Sequence, residues 1–398
     1  MELTAKQEEG LKIAIARHRA GEKYTVISGY AGSGKTTLIR FIIEALDVSE
    51  DRVCFATFTG KAAEVLRKKG NKNVSTLHRL LYDSYPKPGG GFFRKPKVSL
   101  GYDIIVVDEV SMVPKELMDL LFRYRTYVIC LGDPFQLPPV AKEAKDSNNH
   151  LLDNPHVFLD EIMRQAKESE IIRLTMDIRE QKPISLYKGN EVQILPAISL
   201  ADTSMLDWAD QIIVAKNATR YNINDRMRKF YNRGAAPETG DKVICRRNYW
   251  DDLSETHHDP LINGSIGYLK NPFPTFRMVP RWLYTNVQRF DVIQSDVEFE
   301  DDYFAQVEIS KSFLVDKKEC CDWRDSYKIG KAKPRIGDII PRNFEYGYAI
   351  TCHAAQGSQW DNVLVVEENF PWVKEDHARW LYTAATRASN KLVIVQNN

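Results

Sequence analysis

Residues 24–46 read YTVISGYAGSGKTTLIRFIIEAL, and this stretch decides the fold prediction. It opens with a short apolar run typical of a β-strand, and 29–36 then match the pattern G-x-x-x-x-G-K-[ST] of a phosphate-binding loop. Leucines and isoleucines follow at the spacing of a helix. Strand, glycine-rich loop and helix therefore occur in the order that this motif requires, which predicts an α/β fold with a nucleotide site.

The loop has a physical reason to bind phosphate. Gly29, Gly32 and Gly34 let the backbone curl so that its N–H groups face one point, and the helix N-terminus adds partial positive charge. Lys35 can reach the β and γ phosphates of a nucleotide, and the Thr36 hydroxyl can bind Mg²⁺. The other loop residues predicted to bind the nucleotide are Tyr30, Ala31, Ser33 and Thr37.

Composition sets wide limits on the protein. A length of 398 residues favours two or three domains, and 43% hydrophobic with 27% charged residues argues against wholesale disorder. The net charge of +1 neither requires nor excludes nucleic acid, because a basic channel can be hidden in a balanced total.

Cysteine usage and hydropathy concern the compartment. None of the six cysteines has the spacing of a zinc site, and Cys54 and Cys130 lie in apolar, strand-like runs, which indicates reduced thiols. The first residues hold no apolar signal segment, and no apolar run approaches the length of a membrane span. We therefore expect a soluble, cytoplasmic protein.

Polar residues at predicted strand ends extend the nucleotide site. The buried strand in 103–109, DIIVVDE, ends at Asp108, a candidate Mg²⁺ ligand, and Glu109, which could orient and activate an attacking water. Gln136, in the proline-rich turn after the next apolar strand, could sense the γ-phosphate. The side-chain amide of Gln7 matches the N6 and N7 edge of adenine.

Two segments interrupt the α/β pattern. Residues 82–100, YDSYPKPGGGFFRKPKVSL, predict a projecting hairpin with an aromatic tip, Phe92 and Phe93, and basic flanks, suited to stacking on bases or separating them. Residues 237–342 contain short β runs, an Asn-Gly turn and scattered aromatics, which predict a small β-barrel-like insertion. The predicted domains are therefore 1–148, then 149–236 with 343–398, and 237–342.

The ordered motifs, spread from residue 7 to residue 388, together resemble superfamily 1 helicases, and within them the B group of RecD/Dda type, which moves 5′ to 3′ on single-stranded DNA. They are Gln7, GYAGSGKT, FTGKAA, STLH, VVDE, GDPFQLPPV, EIMRQ, AITCHAAQG and YTAATRA. The resemblance implies two RecA-like P-loop lobes, with a pin hairpin inserted in the first and an SH3-like β-barrel in the second. It also implies ATP and Mg²⁺ as cofactors.

Residue roles follow by matching motifs. Lys35, Glu109 and Gln136 are implied to serve hydrolysis, with Arg164 and Arg387 as two arginine fingers. The resemblance places Gly357 near the nucleotide, and Phe92 and Phe93 match the pin by their context. The residues implied to line a DNA track are Thr57, Phe58, Thr59, Lys61, Ser75, His78, Thr351 and His353. One departure is Gln359, where the family usually carries a glutamate associated with the ribose.

The function implied is that of an ATP-dependent 5′–3′ DNA helicase acting as a monomeric motor. Its partners would be single-stranded DNA and junctions of single- and double-stranded DNA, with single-strand-binding or replication proteins as candidates and no membrane. Alternatives are a translocase that strips proteins from DNA without unwinding it, an RNA-directed motor, and a nucleotide-gated binding module without turnover. The intact Lys35, Asp108, Glu109 and Arg387 argue against the last alternative.

Overall fold

A computed structural model describes residues 3–86, 92–138, 149–163, 168–197, 202–253, 255, 260–300, 302–336 and 338–397. Contacts divide the chain into two compact units. Unit 1 comprises Met1–Tyr82, Pro96–Asn217 and Ile350–Asn398, and unit 2 comprises Asp83–Lys95 and Ala218–Ala349. Across the described ranges, we find no helix with both the length and the apolarity needed to cross a membrane.

The first sheet of unit 1 contains six parallel strands in the order β3-β2-β6-β7-β1-β8. These strands are β1 (Tyr24–Gly29), β2 (Val53–Thr57), β3 (Val74–Thr76), β6 (Ile104–Val107), β7 (Tyr127–Gly132) and β8 (Val157–Leu159). Its helices are α1 (Ala5–Arg19), α2 (Lys35–Ala45), α3 (Gly60–Lys68), α4 (Leu77–Leu81), α5 (Lys115–Leu121) and α6 (Asn149–Asp153). Strands buried on both faces explain the continuous apolar runs in the sequence.

The strand order positions the site. Strand β1 ends at the phosphate-binding loop, β6 ends just before Asp108, and β7 leads into Asp133. The three strands are neighbours in the order β6-β7-β1, and Ser28 of β1 is in register with Gly132 of β7. Because parallel strands end at the same edge, these loops emerge side by side.

The second sheet of unit 1 repeats the α/β pattern in the order β19-β11-β20-β21-β10-β9. These strands are β9 (Tyr187–Lys188), β10 (Val192–Pro196), β11 (Gln211–Val214), β19 (Ala349–Thr351), β20 (Trp360–Glu368) and β21 (Ala388–Asn397). Its helices are α7 (Glu170–Arg179), α8 (Thr203–Trp208), α12 (Cys352–Ala355) and α13 (Lys374–Ala385). The predicted α/β class with parallel sheets is confirmed. One boundary differs, because β8, on the far side of the predicted boundary at residue 148, pairs with β1 of the first sheet.

Unit 2 is built on a five-stranded antiparallel sheet in the order β17-β16-β15-β12-β18. Its strands are β12 (Lys242–Cys245), β15 (Ile266–Met278), β16 (Arg289–Phe299), β17 (Tyr303–Ser310) and β18 (Phe344–Tyr346). Two small pairs join β13 (Tyr249–Leu253) to β14 (Pro260–Leu261), and β4 (Tyr82–Pro86) to β5 (Phe92–Pro96). The helices are α9 (Asn217–Phe230), α10 (Lys311–Leu314) and α11 (Trp323–Ile336).

Helix α9, which the prediction placed in the second lobe, groups with unit 2 through buried ion pairs. Its Arg220 binds Glu345 of β18, with Nη2 and Oε1 2.9 Å apart. The fully buried carboxylate of Asp241 accepts from Arg228 Nε at 3.1 Å and from the Tyr348 hydroxyl at 3.0 Å. Because a buried charge is tolerated only when it is paired, these contacts fix α9 against the antiparallel sheet.

Candidate active site

The phosphate-binding loop has the backbone shape that its glycines predict. Gly32 and Gly34 adopt left-handed φ angles of 77° and 79°, and Gly34 is the N-cap residue of α2. Lys35 Nζ donates to the carbonyl oxygens of Gly29 at 2.6 Å and Tyr30 at 3.1 Å. The ammonium group is therefore held at the loop, beside the start of the helix that would receive a phosphate.

Gln7 lies against the same loop. Its side chain is 1% exposed, and its Nε2 lies 3.3 Å from the Ser33 carbonyl oxygen and 3.4 Å from that of Gly34. Its Oε1 accepts from the backbone N–H of Thr4 at 3.0 Å, which completes a capping box at the start of α1. These contacts hold α1 to the loop, and the adenine role of Gln7 stays a prediction.

The two acidic residues after β6 have different environments. The Glu109 backbone N–H donates to Asp108 Oδ1 at 2.9 Å, and burial, followed by the Glu109 charge, raises the pKa of the Asp108 carboxyl. Glu109 has a left-handed φ of 52°, a conformation that costs a non-glycine residue about 1–3 kcal/mol. Such strain is typical of functional sites.

Asp108 and Thr36 could hold Mg²⁺. The positive charge of Lys35 lowers the pKa of the Asp108 carboxyl and so partly offsets the effect of burial. Thr36 lies exposed in the first turn of α2. Within the described residues, no cluster of three or more His, Cys, Asp or Glu side chains could hold a metal. Two protein oxygens suit Mg²⁺, which usually retains water and phosphate ligands rather than occupying a cage of protein ligands.

Three predicted catalytic residues from separate segments meet. With the Gln136 side-chain amide oriented so that both of its ends are satisfied, its nitrogen donates to Glu109 Oε2 at 3.0 Å and its oxygen accepts from Arg387 Nη2 at 3.2 Å. Arg387 Nη1 lies 3.9 Å from Glu109 Oε1. The first sheet thus supplies a carboxylate and an amide, and the segment after α13 supplies a cation.

Arg387 is held rigidly. It is 5% exposed, its Nε donates to the Thr383 carbonyl oxygen at 3.1 Å, and its Nη1 donates to the Ser358 carbonyl oxygen at 3.2 Å. It also directly follows Thr386, the C-cap residue of α13, so it lies near a helix C-terminus, where the helix dipole favours a positive charge. The guanidinium group is therefore oriented by hydrogen bonds to backbone carbonyl oxygens.

A residue that sequence reasoning missed, Tyr382 of α13, joins the two sheets. It is 1% exposed; its hydroxyl donates to Asp133 Oδ2 at 2.6 Å and accepts from the backbone N–H of Ala31 at 2.9 Å. Burial raises the pKa of Tyr382 well above its usual value, so the hydroxyl keeps its proton and can donate. No local sequence pattern indicated this contact; a tyrosine hydroxyl needs a partner once it is buried, and its burial is seen only in the structure.

The segment 133–137, here called the sensor loop, makes further bonds to the second sheet and its helices. The Leu137 backbone N–H donates to Thr383 Oγ1 at 2.9 Å, and its carbonyl oxygen accepts from Gln356 Nε2 at 2.5 Å. Both backbone groups of the residue after Gln136 are therefore satisfied by side chains of distant segments. The sensor loop is consequently coupled to the second sheet as well as to β7.

Replacing Tyr382 by phenylalanine should destabilise unit 1, because Asp133 loses a donor and the Ala31 N–H loses its acceptor. Leaving buried polar groups unpaired costs about 1–3 kcal/mol. For a unit of this size that corresponds to about 2–4 °C in the thermal midpoint per kcal/mol, measured by circular dichroism. The control is Tyr187→Phe, which removes a hydroxyl from a 47% exposed side chain. Equal midpoints for the two variants would contradict the prediction.

The predicted DNA-contact residues of the first sheet cluster at the ends of β2 and β3. Thr57 is buried, and its Oγ1 donates to the Thr59 carbonyl oxygen at 2.8 Å. Thr59 caps α3 by accepting from the Ala62 N–H at 3.2 Å. The rings of His78 and Phe58 have centroids 5.8 Å apart. Lys61 lies in the first turn of α3, and Ser75 lies in β3.

The predicted DNA-contact residues of the second sheet lie at α12. Thr351 is its N-cap residue and makes no side-chain capping bond, and His353 is exposed. Nearby, Gly357 has a φ of 73°, and a Cβ atom there would lie 3.1 Å from both Thr59 Oγ1 and the Ala62 Cβ. The two predicted halves of the DNA track therefore approach each other at Gly357. Its implied nucleotide role stays a prediction.

The site roles of Arg164, Phe92 and Phe93 stay predictions. Arg164 lies outside the described residues. Phe92 and Phe93 begin β5, and the structure describes their backbone alone.

Comparisons with known proteins find helicases. Residues 2–194 match a family model described as an AAA domain, and residues 346–395 match one described as a UvrD-like helicase C-terminal domain. The ATP-dependent RecD2 DNA helicase of Deinococcus radiodurans is 24% identical over 94% of this chain. The ATP-dependent DNA helicase dda of Enterobacteria phage T4 is 30% identical over 35% of this chain.

Coverage and fold similarity complete the comparison. The aligned regions span 47% of RecD2 and 33% of Dda, so the chain spans about half the length of the first and a third of the second. The crystal structure of Pif1 helicase from Bacteroides in complex with ADP-AlF3 and ssDNA shares the fold, with a TM-score of 0.51, 19% identity, and coverage of 100% of this chain and 93% of that chain. The motifs, the family-model matches and these relatives are consistent with a superfamily 1B helicase of RecD/Dda type.

Proposed function

We propose that this protein hydrolyses ATP to translocate 5′ to 3′ along single-stranded DNA and to unwind duplex DNA. The meeting of Glu109, Gln136 and Arg387 supports this proposal best. A carboxylate, an amide and a guanidinium, drawn from segments far apart in sequence, converge beside a phosphate-binding loop. The Pif1 that shares the fold is bound to a nucleotide analogue and ssDNA, which adds support.

Each group has a distinct part in hydrolysis. The loop amides and Lys35 bind the phosphates, while Thr36 and Asp108 hold Mg²⁺, which when bound neutralises phosphate charge. Glu109 accepts the proton of the attacking water as general base. Arg387 stabilises the charge that develops on the transferred phosphoryl group, a contribution typically worth about 10³–10⁵ in rate. Gln136 bonds to both Glu109 and Arg387, so it orients the base with respect to the cation.

Coupling to movement follows from the sensor loop. Gln136 lies within a segment whose ends are bonded to Tyr382 and to Thr383. Loss of the γ-phosphate changes the surroundings of the Gln136 and Arg387 side chains. The sensor loop transmits the resulting movement to the second sheet. The sheets then shift, and the DNA-contact residues that approach each other at Gly357 release and regain the strand.

The hairpin β4–β5 serves as the pin in this proposal, and the antiparallel sheet of unit 2 serves as the SH3-like insertion. Separating a base pair costs about 1.4 kcal/mol per step. Base–aromatic stacking supplies about 1–3 kcal/mol per base. One or two aromatic side chains at the pin are therefore sufficient to stabilise an opened pair.

Changing Phe92 and Phe93 together to alanine should reduce strand separation more than DNA-stimulated ATP hydrolysis, because the wedge acts on the duplex and not on the nucleotide. A fluorescence unwinding assay and a coupled ATPase assay on the same preparation measure the two rates. Val98→Ala is the control, since Val98 is fully exposed and lies beyond the end of β5 at Pro96. Equal loss of both activities would refute the pin assignment.

The function itself is tested by ATP hydrolysis with and without single-stranded DNA, followed by unwinding of duplexes that carry only a 5′ or only a 3′ tail. We expect strong stimulation by DNA and unwinding from the 5′ tail alone. Stimulation without strand separation, together with displacement of a bound protein, would favour the stripping translocase. Stimulation by RNA and not by DNA would favour an RNA-directed motor.

A further inference from the structure

Helix α11 presents an unusual outward face in unit 2. This aromatic–basic surface, as we call it, comprises Tyr284, Trp323, Arg324, Tyr327, Lys328 and Lys331. The three aromatic side chains are 84%, 74% and 58% exposed in chain order. Large aromatic side chains exposed to this extent on one surface mark an interaction site more often than an accident of folding.

The inward face of α11 explains why these side chains point to solvent. Ile329 is 2% exposed and belongs to a buried cluster that includes Phe290 of β16. The Asp325 carboxylate, also 2% exposed, accepts from the Val287 N–H at 2.9 Å. Asp325, Ile329 and Ala332 are buried and face inward. Helical geometry therefore places Trp323, Tyr327 and Lys331 on the outward face.

A hydrogen bond from α11 brings Tyr284 to the same surface. Tyr284 directly follows the short 3₁₀ helix Arg281–Leu283, and its carbonyl oxygen accepts from Lys328 Nζ at 2.7 Å. The lysine thus ties the residue after the 3₁₀ helix to the outward face of α11. Aromatic side chains from two elements are in this way placed on one surface of unit 2.

Cations accompany the rings. Arg324 Cζ lies 5.5 Å from the centroid of Trp323, and Lys331 Nζ lies 4.7 Å from that of Tyr327. A flat ring beside a cation complements one nucleotide, because a base stacks on the ring while its phosphate meets the charge. The aromatic–basic surface offers this combination twice along one helix.

We propose that the aromatic–basic surface is a second binding site for single-stranded nucleic acid, separate from the predicted DNA track and independent of ATP turnover. Unpaired bases are required, because the faces of paired bases are already stacked within a duplex. A membrane surface fits less well, since the two aliphatic side chains among the described side chains of α11, Ile329 and Ala332, are buried and do not accompany the rings. A protein partner is also less suited, because lysine is depleted at the cores of such interfaces.

The first test maps the site directly. The full-length protein, without nucleotide, is photo-crosslinked to oligothymidylate containing 4-thiothymidine, and the crosslinked peptides are identified by mass spectrometry. We expect crosslinks within 323–331 in addition to any in unit 1. Crosslinks confined to unit 1, with none in the peptides of α11, would overturn the proposal.

The second test uses strand length. Affinities for short and long oligothymidylates are compared between the wild type and the double variant Trp323→Ala, Tyr327→Ala. The double variant should bind a long strand about ten- to a hundredfold more weakly than the wild type does. A short strand, which occupies only the predicted DNA track, should lose far less affinity. Trp372→Ala is the matched control, since Trp372 is 80% exposed and lies in unit 1.

The contribution of the positive charges is measured by the salt dependence of binding. Replacing Arg324, Lys328 and Lys331 together by glutamine should lower the salt dependence of long-strand binding by about 0.7 in slope for each phosphate that these cations no longer neutralise. The proposal would be overturned if both sets of variants kept the salt slope and the affinity of the wild type. It would also be overturned if the variants lost binding to anionic phosphatidylserine vesicles but kept their affinity for the oligonucleotide. Both binding tests omit ATP, so a failure of the proposed motor function would not alter their outcome.

Discussion

Replacing Arg387 by alanine is expected to lower the rate of ATP hydrolysis by about 10³–10⁵-fold, with ATP binding largely retained. That loss corresponds to about 4–7 kcal/mol of transition-state stabilisation. The guanidinium lies with Glu109 and Gln136, where charge develops during hydrolysis, whereas ATP affinity depends chiefly on the phosphate-binding loop and Lys35. Steady-state hydrolysis and equilibrium binding of a fluorescent ATP analogue separate the two quantities.

Arg387 also has structural bonds, so the variant needs a stability control. Its removal leaves the carbonyl oxygens of Thr383 and Ser358 without this donor, and the thermal midpoint should be measured alongside activity. Arg379→Ala is the matched variant, because Arg379 is an arginine of the same region whose Nη1 donates to the Pro134 carbonyl oxygen at 3.4 Å, away from Glu109. An Arg387→Ala protein that hydrolyses ATP at nearly the wild-type rate would refute the arginine-finger role.

The Glu109→Gln variant should bind ATP and hydrolyse it about 10²–10⁴-fold more slowly. Glutamine has nearly the shape of glutamate and can occupy the same left-handed backbone position, but it cannot accept the proton of the attacking water. The bond from Gln136 can be kept, because the new side chain retains an acceptor oxygen. Single-turnover hydrolysis with the enzyme in excess measures the chemical step directly.

The Glu109 prediction is tested against a control variant and can be contradicted by two outcomes. Glu116→Gln removes an exposed carboxylate from α5 and should leave the single-turnover rate unchanged. If Glu109→Gln turned over at a rate close to that of Glu116→Gln, another group would have to be the general base. If ATP binding were lost as well, the residue would serve the fold of the site and not its chemistry.

Contiguous motifs made the nucleotide half of the site predictable. The loop from Gly29 to Thr36 and the acidic pair after β6 are local patterns, and parallel strands bring their ends to one edge. The bond between Tyr382 and Ala31 joins residues 351 positions apart, and no local pattern indicates that one of them needs the other. It depends on how two sheets pack, which sequence spacing does not encode.

Helix α11 illustrates the other kind of miss. Its sequence includes Gly330 and Pro334, which lower helix propensity, and the surrounding short β runs favoured an all-β insertion. Burial of Ile329 and the hydrogen bond that the Val287 N–H donates to Asp325 stabilise the helix in spite of that composition. Tertiary contacts thus overrode local preference.

The double attachment of Leu137 bears on how such proteins can be recombined. Its backbone N–H and carbonyl oxygen are matched to Thr383 and Gln356, although the residue is a covalent extension of the first sheet. A chimera that imports the C-terminal segment of a relative would carry new partners for those two groups. The five residues from Asp133 to Leu137 should therefore be transplanted together with residues 350–398. They are connected to the first sheet in the chain, but their hydrogen-bond partners belong to the second.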